Sequence, residues 1–160
     1  MFRRVLFVLL LIAGASLATP RAAEADNFSN YAYYGTVYAY YGTQYNYQTL
    51  RIATESDFQN GAIENAYYYS YYSFIYGYYG LEYGYADYIQ YAGDLANAAK
   101  EYSKGIFDYT YYTLLPEYPY PPIQAVAENS YNGWICMAYA EVYFDTSYNY
   151  AFNKPPKKNE

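Results

Sequence analysis

Residues Gln59 to Asp108 read QNGAIENAYYYSYYSFIYGYYGLEYGYADYIQYAGDLANAAKEYSKGIFD, and this stretch decides the fold class. Taken in sevens, one column runs Gln59, Ala66, Ser73, Gly80, Asp87, Asp94, Glu101, Asp108, and every member is small, polar or acidic. The opposite column runs Tyr71, Phe74 with Ile75, Tyr78, Leu81, Tyr85, Tyr88 with Ile89, Ala92, Leu95 with Ala96, Ala99, Tyr102 and Ile106. Steps of three and four that stay in register are what a helix with one dry stripe produces; a strand would alternate in twos. The stretch predicts a single, very long helix, bent at Gly80 or Gly93, with the second column as its buried face. Its halves differ. No charge falls between Glu64 and Glu82, and tyrosines point to all sides there. From Tyr83 to Tyr109 a charged face returns, with Glu101 and Lys104 spaced for a surface pair.

Upstream lies an internal repeat of seven: Tyr31-Ala-Tyr-Tyr-Gly-Thr-Val37, then Tyr38-Ala-Tyr-Tyr-Gly-Thr-Gln44, then Tyr45-Asn-Tyr-Gln-Thr49. Seven residues are two helical turns, so each tyrosine stands above its equivalent. Neither the odd nor the even positions form a uniform face, which argues for helix over strand. Gly35 and Gly42 each cost about 1 kcal/mol against Ala in a helix. Their recurrence points to a groove that another backbone or a ring approaches closely. Asn27, Ser29 or Asn30 is placed to cap this first helix. The link to the long element carries Thr54-Glu-Ser-Asp57, with capping-box spacing and Ser56 or Asp57 as alternative caps.

Downstream, Pro116, Pro119, Pro121 and Pro122 stop the long helix. A last helix is predicted over Ile123 to Asn149, with Ile123, Val126, Ala127, Ser130, Trp134, Met137, Ala138, Val142 and Phe144 toward the core and Gly133 as an interruption. The polar segment 153–160 reads as a disordered tail.

At the other end, Arg3 and Arg4, the apolar run Val5 to Ala13 and the small-x-small triplet Ala23-Glu24-Ala25 have the form of an export signal over residues 1–25. The expectation is an exported protein, periplasmic or extracellular, whose 26–152 portion is one tyrosine-rich helical domain. The fold class expected is all-α: an elongated three-helix bundle with one very long central helix.

Charge and residue content bound the function. Nine basic residues against fifteen acidic ones give a net charge of −6. Such a surface repels phosphate backbones and anionic lipid, so nucleic acid is not an expected partner. A membrane span after signal removal is not expected either, because tyrosine prefers the headgroup level to hydrocarbon. With no histidine, the commonest general base and metal ligand are gone. The single cysteine, Cys136, sits in an apolar run and reads as a small buried hydrophobe. The carboxylate pairs Glu82 with Asp87 and Glu141 with Asp145 fall on charged helix faces, where carboxylates are ordinarily solvated. No catalytic residue, metal site or cofactor is assigned, and the chain is not read as an enzyme.

What remains is tyrosine, 31 copies in 160 residues, all beyond the signal-like segment. Each buried phenol hydroxyl left without a partner costs on the order of 1–3 kcal/mol. Three helices cannot enclose so many rings, whereas a protein–protein interface suits them: large contact area, low entropy cost and one polar tip. The expectation is an exported structural or scaffolding protein that self-associates, as a homo-oligomer or filament, or joins a larger exported complex. The contact residues named are Tyr33, Tyr40 and Tyr47 on the first helix and Tyr68, Tyr72, Tyr76 and Tyr79 on the second. Two other classes fit less of the sequence: an aromatic-lined binding module for a glycan or quaternary-ammonium ligand, and a tyrosine array for redox relay or cross-linking.

Overall fold

The computed structural model describes residues 27–56 and 60–152; the expected export signal, the tail and the position of Asp57 lie outside the described residues. Every long element is a helix, and there is no strand among the described residues. Four long helices follow one another: α1, Asn27–Glu55; α2, Gly61–Tyr83; α3, Ala86–Tyr109; and α4, Pro121–Phe152. The helix α1 packs on α2 and α4, and α3 packs on the same two, around an interior of two hydrophobic clusters, a larger one about Phe144 and a smaller one about Ile63 and Ile106. Short connections make sequential neighbours antiparallel. Contacts tie them at matched heights: Ser147 Oγ donates to the Phe28 carbonyl at 2.7 Å, and Ser73 Oγ to the Ala92 carbonyl at 2.8 Å.

The expected single long helix is two helices. After Tyr83 the chain enters the left-handed region at Gly84 (φ 70°, ψ 26°), and the N–H groups of Gly84 and Tyr85 both reach the Gly80 carbonyl. Only glycine takes that conformation without a Cβ penalty. Tyr85 is extended, and α3 begins at once. The reversal therefore falls at Gly84, not at the expected Gly80 or Gly93. Those two glycines serve packing instead: a Cβ on Gly80 would lie 2.5 Å from Ile89 Cδ1, and one on Gly93 3.2 Å from Asp145 Oδ1.

The reversal also overturns half of the expected dry stripe. On α3 the apolar column is buried through Ile89, Ala92, Leu95, Ala96, Ala99 and Ile106, but its tyrosines are not: Tyr102 is half-buried, and Tyr85 and Tyr88 are exposed. On α2 the small and polar column is buried, with Ala66, Ser73 and Gly80 facing inward beside Ile63, Ser70 and Gly77; of the expected stripe Phe74 is buried too, Ile75, Tyr78 and Leu81 are half-buried, and Tyr71 is exposed. The central line of buried positions runs 63, 66, 70, 73, 77, 80 and then 89, 92, 96, 99, 103, 106, with Phe74, Gly93 and Leu95 buried beside it. The step from 80 to 89 exceeds a heptad by two residues, a rotation of about 200° at 3.6 residues per turn. The column of sevens continues in sequence across the turn, but its two halves face opposite ways.

The same three-four spacing organises the other helices. On α1 it collects Phe28, Ala32, Gly35, Ala39, Gly42, Asn46, Thr49 and Ala53; on α4, Val126, Ser130, Gly133, Met137, Ala140, Phe144 and Ser147. The core is thus built from small residues, with a few large ones seated opposite glycines. Phe144, fully buried, fills a hole bounded by one glycine from each other helix. Cβ atoms on Gly35 and Gly77 would stand 2.6 and 2.5 Å from its ring, and one on Gly93 3.4 Å from its Cβ. Met137 seats on Gly42, and Asn46 on Gly133. The groove expected at Gly35 and Gly42 is there, with a ring in one part and a thioether in the other. Gly133, expected as an interruption, is a packing position; Val142, expected inside, is exposed.

Buried hydroxyls are satisfied mainly along their own helices. Thr36, Thr43, Ser103 and Thr110 donate to carbonyls four residues back at 2.6–2.8 Å. Asn60 caps α2, its Oδ1 accepting from the Ala62 N–H at 2.9 Å. The expected capping set does not form around Thr54 and Ser56: Thr54 lies inside α1 and bonds to Leu50, and Ser56 sits in the turn. Ser29 and Asn30 likewise lie inside α1. Past Tyr109, α3 widens into a π turn, Thr110–Leu114, where the Leu115 N–H reaches the Thr110 carbonyl, before one short turn at Leu115–Glu117. Pro116 has no N–H with which to continue the regular bonding.

Candidate functional site

With small residues inside, the tyrosines take the shoulders and outer faces of the helices. None of the 31 is buried; twenty are exposed and the rest are half-buried. A phenol at a shoulder packs its ring on the helix beside it and leaves its hydroxyl in water. For this reason the tyrosines of the expected dry stripe, Tyr71, Tyr78, Tyr85, Tyr88 and Tyr102, are exposed or half-buried and none is fully inside.

The rings line the grooves between helices. Along α1 and α4, Tyr31 stacks on Tyr150 at 5.4 Å and Tyr38 on Tyr143 at 5.5 Å, both within 9° of parallel. Between α2 and α3, Tyr69 stacks on Tyr102 at 5.6 Å, and Tyr76 meets Tyr91 edge-on at 4.7 Å. Between α1 and α2, Tyr40 meets Phe74 at 5.6 Å and Tyr47 meets Tyr67 at 5.7 Å. Between α3 and α4, Phe107 lies 6.2 Å from Trp134, with Lys104 Nζ 5.7 Å over the indole. Each such ring pair contributes roughly 0.5–1.5 kcal/mol beyond its area.

The seven named contact tyrosines do not share one surface. Tyr40 and Tyr76 are half-buried against the core, where they serve the chain's own packing. Tyr33 and Tyr47 stand exposed two heptads apart on α1. Tyr68, Tyr72 and Tyr79 form one outward row on α2, at 52, 49 and 42 % exposure. Burial, and then neighbouring phenols, hold the hydroxyls of Tyr40 and Tyr67 above their ordinary value. Tyr78 is raised by burial and then by Glu82.

A second feature was hidden from the sequence by the long-helix reading. At the α2–α3 turn, Tyr79, Tyr83, Tyr85 and Tyr88 enclose an open bay of about 370 Å³. The signal available was Gly84 between two tyrosines, a helix-ending glycine in an otherwise periodic run. A smaller cavity of about 40 Å³ lies near Asn60, Ile63 and Thr110.

Charged groups form local pairs. Lys100 Nζ lies 2.7 Å from Glu141 and 3.5 Å from Glu101; Lys104 pairs with Asp108 and not with Glu101. Burial alone would lower the Lys100 ammonium, but the hydrogen bond and charge of Glu141 more than offset it, and the net shift is upward. Asp145 is raised by partial burial, then by Glu141 and Asp94. Among the described residues, no group of three or more His, Cys, Asp or Glu is placed to hold a metal ion. None of their helices is long and apolar enough to cross a membrane. Burial pushes the half-buried Cys136 thiol up to about 11. No family model matches the chain, and no curated protein or solved structure matches it at a significant level.

Proposed function

We propose that this chain is a structural or scaffolding protein, acting outside the cytoplasm, that associates with further copies of itself through its outward tyrosine rows. The observation that carries the reading is the row Tyr68, Tyr72 and Tyr79, three large rings aligned on one face of α2 and open to solvent. Contiguous apolar rings left in water favour association, and tyrosine is enriched where proteins meet. The core needs none of these three, so their placement outside is not a failure of packing. The export element of the reading rests on the signal-like segment 1–25.

The test is size-exclusion chromatography with light scattering on the mature chain and on a Tyr68→Ser, Tyr72→Ser, Tyr79→Ser variant. The mature chain is expected to run as an oligomer or larger assembly. The variant should fall to monomer with its helical circular dichroism unchanged. A compact wild-type monomer at high concentration, or association that survives the triple change, overturns the reading. Ligand binding on stacked rings is a second reading, and the open bay at the α2–α3 turn favours it.

A further inference from the structure

We propose that the open bay lined by Tyr79, Tyr83, Tyr85 and Tyr88 binds a small quaternary ammonium cation. The inference rests on the ligand-binding reading; Tyr79 belongs to both the bay and the outward row, so the variants that test the bay leave it unchanged.

The rings give the bay walls in two orientations. Tyr79, Tyr83 and Tyr85 follow one another within 28° of parallel at 6.1 and 5.9 Å. Tyr88 stands at 82° to Tyr85 with centroids 5.4 Å apart. Ring faces attract a cation through the aromatic quadrupole, and walls at an angle let several act on one charge. Backbone geometry sets the arrangement before any ligand arrives. Tyr83 and Tyr85 flank a single left-handed glycine, and the turn is closed by two N–H groups on the Gly80 carbonyl. A volume of about 370 Å³ is adequate for a trimethylammonium head and a short arm.

Charge selects the ligand class. Exposed carboxylates at Glu82 and Asp87 bracket the turn in sequence, one on each helix. The three described basic residues are Arg51, Lys100 and Lys104, each already beside a carboxylate: Glu55, Glu141 and Asp108. None of them belongs to α2 or to the first half of α3. The lining itself is made of tyrosines alone. A primary ammonium loses strong hydrogen bonds to water on entering such a site; a methylated nitrogen has none to lose and presents an apolar, charged surface. A neutral sugar depends on fixed polar partners that this lining lacks, phenol hydroxyls aside.

The test is a titration of the ¹⁵N-labelled full chain, following the amide of Gly84, which lies between the lining residues Tyr83 and Tyr85 in sequence. Choline is compared with 3,3-dimethylbutan-1-ol, its neutral carbon isostere, and with glucose. Choline should give a saturable shift, with the isostere about tenfold weaker or worse, the expected size of one desolvated cation–π contact. Tyr83→Leu with Tyr85→Leu, which keeps apolar bulk, should abolish the choline response; Tyr33→Leu should not. Equal response to the isostere, a stronger response to glucose, or no shift at Gly84 overturns the proposal. The wild-type comparison of choline with its isostere decides the matter even if the double variant fails to fold. A chain that binds choline without associating leaves this site standing and removes self-association; one that associates and ignores choline does the reverse.

Discussion

At the scale of single residues, glycines divide by what stands opposite them. Gly77 faces the Phe144 ring and the Thr36 hydroxyl, while nothing lies within 4 Å of a Cβ built on Gly105. Both are helical, so alanine removes the same backbone penalty at each. Gly105→Ala should stabilise the protein by about 0.5–1 kcal/mol, whereas Gly77→Ala should destabilise it by roughly 1–3 kcal/mol, because the ring it meets has nowhere to go. Urea unfolding followed by circular dichroism measures both; equal effects at the two sites would contradict the keystone role of Phe144. Cys136 offers a second check. With its thiol held up at about 11 by burial, little thiolate exists near neutral pH. An aromatic disulfide reagent should react slowly with the native chain at about pH 8 and rapidly once denaturant is added.

At the scale of elements, one amide joins four helices. Asn46 on α1 donates to the Ala66 carbonyl of α2 at 3.2 Å, has its Oδ1 3.0 Å from the Ser103 hydroxyl of α3, whose one proton it shares with the Ala99 carbonyl, and seats against Gly133 of α4. A buried amide at a seam position is a device that sets register among otherwise slippery small residues. Asn46→Ala leaves the site short of a partner and should cost about 1–3 kcal/mol. It should also broaden the unfolding transition, since Ala and Ser seams pack nearly as well one turn out of step. A sharp transition at lowered stability would limit Asn46 to a stabilising role.

At the scale of the whole molecule, the tyrosine coat couples stability to alkaline pH. Tyr40, Tyr67 and Tyr78 are held above the ordinary 10.0, and Lys100 above 10.5. A group whose folded value is raised keeps its proton longer folded than unfolded. Its contribution is fully present below the unfolded value and is lost as pH climbs through the folded one. These groups should leave stability flat from about pH 7 to 9 and lower it progressively above about pH 10. Urea midpoints across that range read the slope; stability that rises above pH 10 would contradict the assignment.

The amino-acid pattern by itself determined that the chain is helical, because three-four spacing persists through every long segment and alternation in twos nowhere does. It also marked Gly35 and Gly42 as points of close approach, since a repeated helix-weakening residue needs a packing reason. Which face of α2 points inward was decided only by tertiary structure. Tyrosine is both large and polar-tipped, so a column rich in it reads as core until the shape of the core is known; here Ala66, Ser73 and Gly80 fill that place and the rings are displaced to the shoulders. The count of helices was decided the same way. Gly80, Gly84 and Gly93 are alike in sequence, and only the presence of Ile89 and Phe144 against two of them leaves the third free to turn the chain back.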